Sequence, residues 1–190
     1  HKILNEAMEE LRLEMPYEDV DNEKSAVHGG SPVNMVPSSY ATDCAIETDL
    51  EVLLPDDYVS SVSERLLLYR ELGDLSTEEE LATYRRNLVD RFGPLPHATE
   101  ELVRTITLRR MAKEFGIEKI VLKQDRMVLH FVSNPQNPFY QSENFTKVIR
   151  YAQANERRAH LKESNSRLCL SVDNVKDINQ AIDQINAMIQ

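Results

Sequence analysis

The chain has 190 residues, of which 41% are hydrophobic and 28% charged, and its net charge is −10. That suits one globular domain with a short appendage; two cysteines, Cys44 and Cys169, exclude a disulfide framework and a zinc set. No run approaches the roughly 20 apolar residues of a membrane-spanning helix, and the acidity excludes a general basic footprint for nucleic acid.

The charge is unevenly placed. Residues 1–57 hold 14 acids against 3 lysines and arginines, whereas residues 58–190 hold 18 against 19. Ile3, Leu4, Ala7, Met8, Leu11 and Leu13 predict an amphipathic helix over 1–15, closed by Pro16. The chain opens on His1 instead of Met and has no signal-peptide pattern, which reads as a cytoplasmic piece of a longer protein. Residues 16–42 combine prolines, Gly29-Gly30, serines and acids with no apolar period. They are expected to form a flexible acidic linker, with the domain proper over 43–190.

Ile46, Thr48, Leu50, Val52 and Leu54 alternate with mostly acidic neighbours, as in a half-buried strand ended by Pro55. Asp56 or Asp57 is expected to cap the next helix, with Val59, Val62, Leu66 and Tyr69 buried and Gly73 as its stop. Ser76-Thr77-Glu78-Glu79-Glu80 holds two overlapping capping boxes. Leu81, Tyr84, Leu88 and Phe92 then recur at helical spacing. Gly93 should close that helix in a left-handed conformation, and Pro96 should open the next, which runs to Phe115 and stops at Gly116. Ile117–Lys123 and Arg126–Val132 predict a hairpin about Gln124-Asp125. A helix bearing Phe145, Val148, Ile149 and Ala152 follows. A second hairpin is expected around Ser164-Asn165. Asn174 is expected to cap a last helix carrying Val175, Ile178, Ile182, Ile185 and Ile189 inward. Two hairpins and one separate strand are not alternating βαβ units. The fold class is α+β, with a mostly antiparallel sheet of about five strands packed against helices.

Little here suggests catalysis. All five glycines are used by helix ends and the linker, and no glycine-rich phosphate loop exists. Asp56-Asp57 is better read as capping than as a carboxylate pair. His1, His28, His97, His130 and His160 have no metal-ligand spacing, although His130 and His160 could approach each other across the sheet. Arg109, Arg110, Lys147, Arg150, Arg157 and Arg158 form the best basic cluster. With Tyr140, Phe145 and Tyr151 nearby, they give an alternative function, an accessory nucleic-acid-binding module using the 147–158 face. A solvated helix face explains the same residues.

Leu53–Val59, Leu66–Arg70, Val89-Asp90-Arg91-Phe92-Gly93-Pro94-Leu95-Pro96 and Ala112–Ile120 together resemble the C-terminal domain of the bacterial transcription-repair coupling factors, over about Ile3 to Gln190. The resemblance implies a parent that is an ATP- and magnesium-dependent DNA translocase. That parent displaces stalled RNA polymerase from double-stranded DNA and recruits UvrA for nucleotide excision repair. It implies that this chain is a non-catalytic regulatory module without a cofactor or metal of its own. Residues 1–15 would be the helix leaving the preceding motor domain. The domain would rest on the UvrB-like N-terminal module of the same protein, mask its UvrA-binding face and restrain the motor. By position in the motif, Asp90 is the main candidate for that interdomain contact, with Arg91, Glu79 and Glu80 beside it. Asn87 stands one turn earlier, where the family's pattern would favour an acid. The chain alone is predicted not to hydrolyse ATP. A nucleotide site at 100 times its dissociation constant would add about 2.7 kcal/mol of stability, so a melting curve unmoved by ATP with magnesium is the expected result.

Overall fold

This computed structural model describes residues 39–190 apart from Ser166. The helix expected over 1–15, and the expected linker as far as residue 38, lie outside the described residues. Tyr40 and Ala41 each donate a backbone N–H to Lys113 O, at 3.0 and 3.1 Å. Asn137 Nδ2 donates to Tyr40 O at 3.1 Å. The packed chain therefore starts ahead of Asp43.

Two hairpins supply four of the five strands. β1 (Ala45–Thr48) is the separate strand. β2 (Ile117–Lys123) and β3 (Arg126–Phe131) turn at Gln124 and Asp125, with φ of 52° and 58°. β4 (Ala159–Ser164) and β5 (Arg167–Asp173) turn by way of Asn165, with φ of 53°. Asp125 and Asn165 tolerate this left-handed region because their short side chains bond locally; Gln124 occupies it as well, without that help. The sheet order is β1-β2-β3-β5-β4. β1 runs parallel to β2, and all other pairs are antiparallel. The mostly antiparallel α+β fold is as the sequence predicts.

Five α-helices are described: α1 (Val62–Asp74), α2 (Glu78–Phe92), α3 (His97–Glu114), α4 (Glu143–Ala154) and α5 (Ile178–Ile189). The later half of α3, α4 and α5 bury Leu108, Phe115, Val148 and Ile185 against Ile120 and Leu129 of the sheet. The earlier half of α3 meets α1 and α2, where Leu68, Leu81, Leu88 and Leu102 are buried. Tyrosine hydroxyls fasten that second cluster to backbone. Tyr84 donates to Leu68 O at 2.9 Å, and Tyr58 reaches Gly93 O at 2.9 Å and Leu88 O at 3.2 Å.

Several local expectations are corrected. The first strand ends at Thr48 and does not continue to Leu54. Thr48 Oγ1 donates to Leu122 O and accepts from Leu50 N, which turns the chain off the sheet. Ser61 caps α1, since Asp56 and Asp57 lie in a turn before it. α1 buries Leu68 and Leu72, and it leaves Val62 and Leu66 in water at 63% and 45% exposure. Asp177 caps α5, whereas Asn174 takes a φ of 59°. On α5, Met188 is buried and Ile189 exposed. Gly93 does close α2, with φ 90° and ψ −167°, a conformation nearly closed to other residues and distinct from the left-handed helical one. The Thr77–Glu80 capping box forms as written in the sequence.

Two measurements follow from this packing. Leu66→Ser is expected to move stability by no more than about 0.5 kcal/mol, and Leu68→Ala to cost about 2–5 kcal/mol. Denaturant midpoints of equal size would reverse the assignment of the buried face. At Gly116 (φ 64°), a Cβ would stand 2.6 Å from the buried Phe139 ring. Gly116→Ala therefore combines backbone strain with overpacking, and should cost about 3 kcal/mol or more.

Candidate functional site

Packing α1 against α2 along Leu68, Leu72, Leu81, Tyr84 and Leu88 leaves a furrow between their outer edges. Two adjoining hollows of about 310 and 290 Å³ make it up. The first is lined by Leu68, Glu71, Tyr84, Asn87, Leu88, Asp90 and Arg91. The second is lined by Glu71, Leu75, Glu79, Glu80, Thr83, Tyr84 and Asn87. Glu71, Tyr84 and Asn87 belong to both, so the hollows form one groove.

All five sequence-predicted residues reach this groove, in different roles. Asp90 and Asn87 are exposed on α2, and Asp90 has no ion-pair partner among the described residues. Its outward position follows from helix geometry. Phe92, two residues later and about 200° around the helix, turns inward to meet Tyr58 edge-on at 5.7 Å. Glu79 is likewise exposed and unpaired among the described residues. Glu80 is committed to the fold. Its Oε2 accepts from Ser76 N at 2.9 Å and Thr77 N at 3.0 Å. Those backbone donors hold its carboxyl below the usual carboxylate range. Arg91 is also occupied. It is ion-paired to Glu64 of α1 and lies over the Phe92 ring, 4.8 Å from its centroid. It is a wall of the groove and not a free cation.

Glu71 was not singled out in the sequence. It stands on α1 facing Asn87 across the groove, exposed and without an ion-pair partner among the described residues. Burial, with the Glu71 charge adding to it, pushes the Tyr84 phenol up, which keeps it a neutral hydrogen-bond donor. The floor is apolar, from Leu68, Tyr84 and Leu88; the lining residues whose charge is unpaired among the described residues are Glu71, Glu79 and Asp90, and Arg86 donates to Thr83 Oγ1 beside the second hollow. Carboxylates accept and do not donate, so the groove is built for Arg or Lys side chains. Bidentate arginine would use it best. Leu67 at 62% exposure adjoins Leu68 on α1, and Val89 at 43% adjoins Asp90 on α2. Apolar side chains thus accompany the acidic rim.

The other candidate surfaces are divided by the fold. Arg110 is held by Glu78 and Ser76 O. Arg158 donates to Asp173 O at 2.9 Å. Lys147, Arg150 and Arg157 remain without ion-pair partners among the described residues. The aromatic residues beside them are not available for stacking on bases. Tyr140 and Phe145 pack around buried Phe139, and buried Tyr151 donates to Gln184. His130 and His160 do not pair, because β5 lies between their strands.

A family model described as the TRCF domain matches residues 48–142, a span that contains every groove residue. Among curated relatives, the chain is similar to the transcription-repair-coupling factor of Escherichia coli strain K12. They are 31% identical over 134 residues, which is 70% of this chain and 12% of that protein. The protein of the same name from Rickettsia bellii is 24% identical over 149 residues, 78% of this chain and 12% of that one. The Haemophilus influenzae protein of that name is 36% identical over 75 residues, 40% of this chain and 6% of that one. This chain therefore spans 12% or less of these relatives. A crystal structure of the C-terminal domain of transcription-repair coupling factor superposes with a TM-score of 0.64. It covers 77% of this chain and 92% of that chain at 14% identity, a likeness of fold.

Proposed function

The chain belongs to the TRCF domain family, and from that premise we propose that it is the regulatory C-terminal module of a coupling factor, acting through the α1–α2 groove. In this reading the groove closes on a basic face of the UvrB-like module of the same protein. It thereby covers the face that UvrA uses and restrains the DNA-translocating motor until the parent engages RNA polymerase. The observation that carries the reading is the groove itself: Glu71, Glu79 and Asp90 stand free around an apolar floor. Exposed Leu67 and Val89, next in sequence to the groove residues Leu68 and Asp90, add apolar surface that a partner can cover. Asn87 in place of a second acid on α2 shifts the weight to Glu71 across the groove. The pair that receives a partner's cation would then be Asp90 with Glu71, one from each helix.

Because the carboxylates are exposed before docking, their attraction is screened by salt. Covering them with a partner removes water and makes each ion pair count for more. Asp90→Arg would set a cation against a basic partner, where like charges cost several kcal/mol in a desolvated contact. Binding of this chain to the isolated UvrB-like module, measured by calorimetry, is expected to weaken tenfold or more with Asp90→Arg. Glu71→Arg should do the same, and both should leave the melting curve close to the parent's. In the full-length protein, either change should increase UvrA binding in the absence of polymerase. Unchanged affinity in correctly folded variants would place the regulatory surface elsewhere on the domain.

A further inference from the structure

The helices cover one face of the sheet, where Leu129 and Leu170 lie in the core. The opposite face is left to charged and half-buried side chains. On it, the registers set Lys119 opposite His130, His130 opposite Cys169, and Cys169 opposite Lys162. Facing residues on neighbouring strands share one side of the sheet, with Cβ atoms about 4.5–5.5 Å apart. The four side chains therefore form a continuous Lys-His-Cys-Lys row across β2, β3, β5 and β4. Within it, Cys169 Sγ lies 3.1 Å from His130 Nδ1. Arg167, two residues before Cys169 on the same strand, leans to the same face and is ion-paired with Glu118. Cys169 is 8% exposed, with His130 on one side of it in the row and Lys162 on the other. Cys44 has no such row beside it. It is fully enclosed in the core, and burial pushes its thiol up to about 12.

We infer that Cys169 is a thiol–disulfide exchange site for small disulfides bearing carboxylates, with His130 as its proton acceptor and Lys162, Lys119 and Arg167 as the cations that receive those carboxylates. Attack on a disulfide requires the thiolate. Burial raises the Cys169 thiol, with Arg167 opposing, so the resting group is S–H and needs a base within hydrogen-bond reach. His130 fits that need. Burial first, then Lys119 and Arg167, lower its pKa. The shift favours the neutral imidazole, and in the tautomer with its proton on Nε2 the Nδ1 lone pair accepts from sulfur. Of the flanking cations, Lys162 has no ion-pair partner among the described residues. Lys119 shares Glu47 with Lys123.

The step balances without a further reactant. The Cys169 S–H bond breaks, and its proton passes to His130 Nδ1. The Sγ electron pair attacks one sulfur of the incoming disulfide, whose S–S bond breaks with its pair on the second sulfur. His130 returns the proton to that departing thiolate. Cys169 is oxidised to a mixed disulfide, and half of the reagent leaves reduced as a thiol. The product places carboxylates on the uncovered face of the sheet, and a second thiol reverses it by the same route.

The test uses the full 190-residue chain with glutathione disulfide as the acidic reagent and 2-hydroxyethyl disulfide as the neutral one, read by intact mass and peptide mapping. One adduct is expected, at Cys169, with Cys44 unmodified. His130→Gln should slow both reagents about tenfold or more, the lower range of general-base effects. Lys162→Gln should slow only glutathione disulfide, by severalfold, and added salt should do the same to the parent chain through screening. If Cys169 reacts no faster than Cys44, or if His130→Gln leaves both rates unchanged, the assignment is overturned. Should His130→Gln fold poorly, the parent chain decides: absence of any salt-sensitive preference for the acidic reagent equally overturns it.

Discussion

Glu101 sets the terms for much of the remaining structure. Its side chain is 2% exposed, in the second turn of α3, where a buried carboxylate must be supplied with partners or stay out of the fold. Two are present. Ile178 N, in the first turn of α5, donates to Oε2 at 2.7 Å, and Arg104 donates to Oε1 at 2.9 Å. One oxygen thus satisfies a helix terminus belonging to the opposite end of the chain, and the other neutralises the charge. Asp177 caps the same terminus through Gln180 N. α5 is fixed to α3 by this polar contact as well as by its apolar face, and the sheet is closed over by the two together. Beside Glu101, Thr105 returns its hydroxyl to Leu102 O and Thr99 reaches Leu53 O. These buried polar side chains of α3 are thus satisfied, whereas Arg109 Nε, further along the helix, is buried without a hydrogen-bond partner among the described residues.

α3 consequently serves two clusters. Its later half belongs to the sheet and its earlier half to α1 and α2. The groove is a product of the second cluster alone. Its floor is made of residues that hold α1 to α2, and its rim, apart from Glu80 and Arg91, of residues that neither helix needs for stability. This division explains how acids can be concentrated on one edge with little cost to folding. Exposed carboxylates remain hydrated, and Glu80, the one with a structural task, caps a helix whose N-terminal dipole favours its charge.

The α2 half of the groove was legible in the sequence because a capping box, an apolar period and a terminal glycine all fix the phase of that helix. Once the phase is known, Asp90, Asn87 and Glu79 must face out. α1 offered no such phase. Val62, Leu66, Leu67, Leu68 and Leu72 spread apolar residues around most of the helix, so two stripes were compatible with the spacing. Only contact with α2 and α3 selects Leu68 and Leu72, and Glu71 becomes a groove residue through that selection. The hairpins were legible since Asn and Asp can occupy left-handed turn positions. The end of β1 was not, because the alternation continues through Leu54, whereas pairing stops where Thr48 bonds to Leu122 O. The caps at Ser61 and Asp177 were displaced from their expected positions for a related reason: several Asx and Ser residues compete there, and tertiary contacts choose among them.

The parallel edge strand has a kinetic consequence. Ala45 pairs with Lys119 and Thr48 with Leu122, across a chain interval that contains three helices. Each hairpin closes a turn of a few residues, a microsecond event. β1 instead waits for the long loop to close, and loop-closure entropy must be met before the contact returns anything. In assembly β1 is therefore expected to join after the two hairpins and to leave before them. Amides of Ala45–Thr48 should exchange with solvent through openings that leave both hairpins paired. The sheet behaves as a four-stranded nucleus with a late-docking margin, and the segment joined to that margin is the one by which residues 39–42 enter the domain.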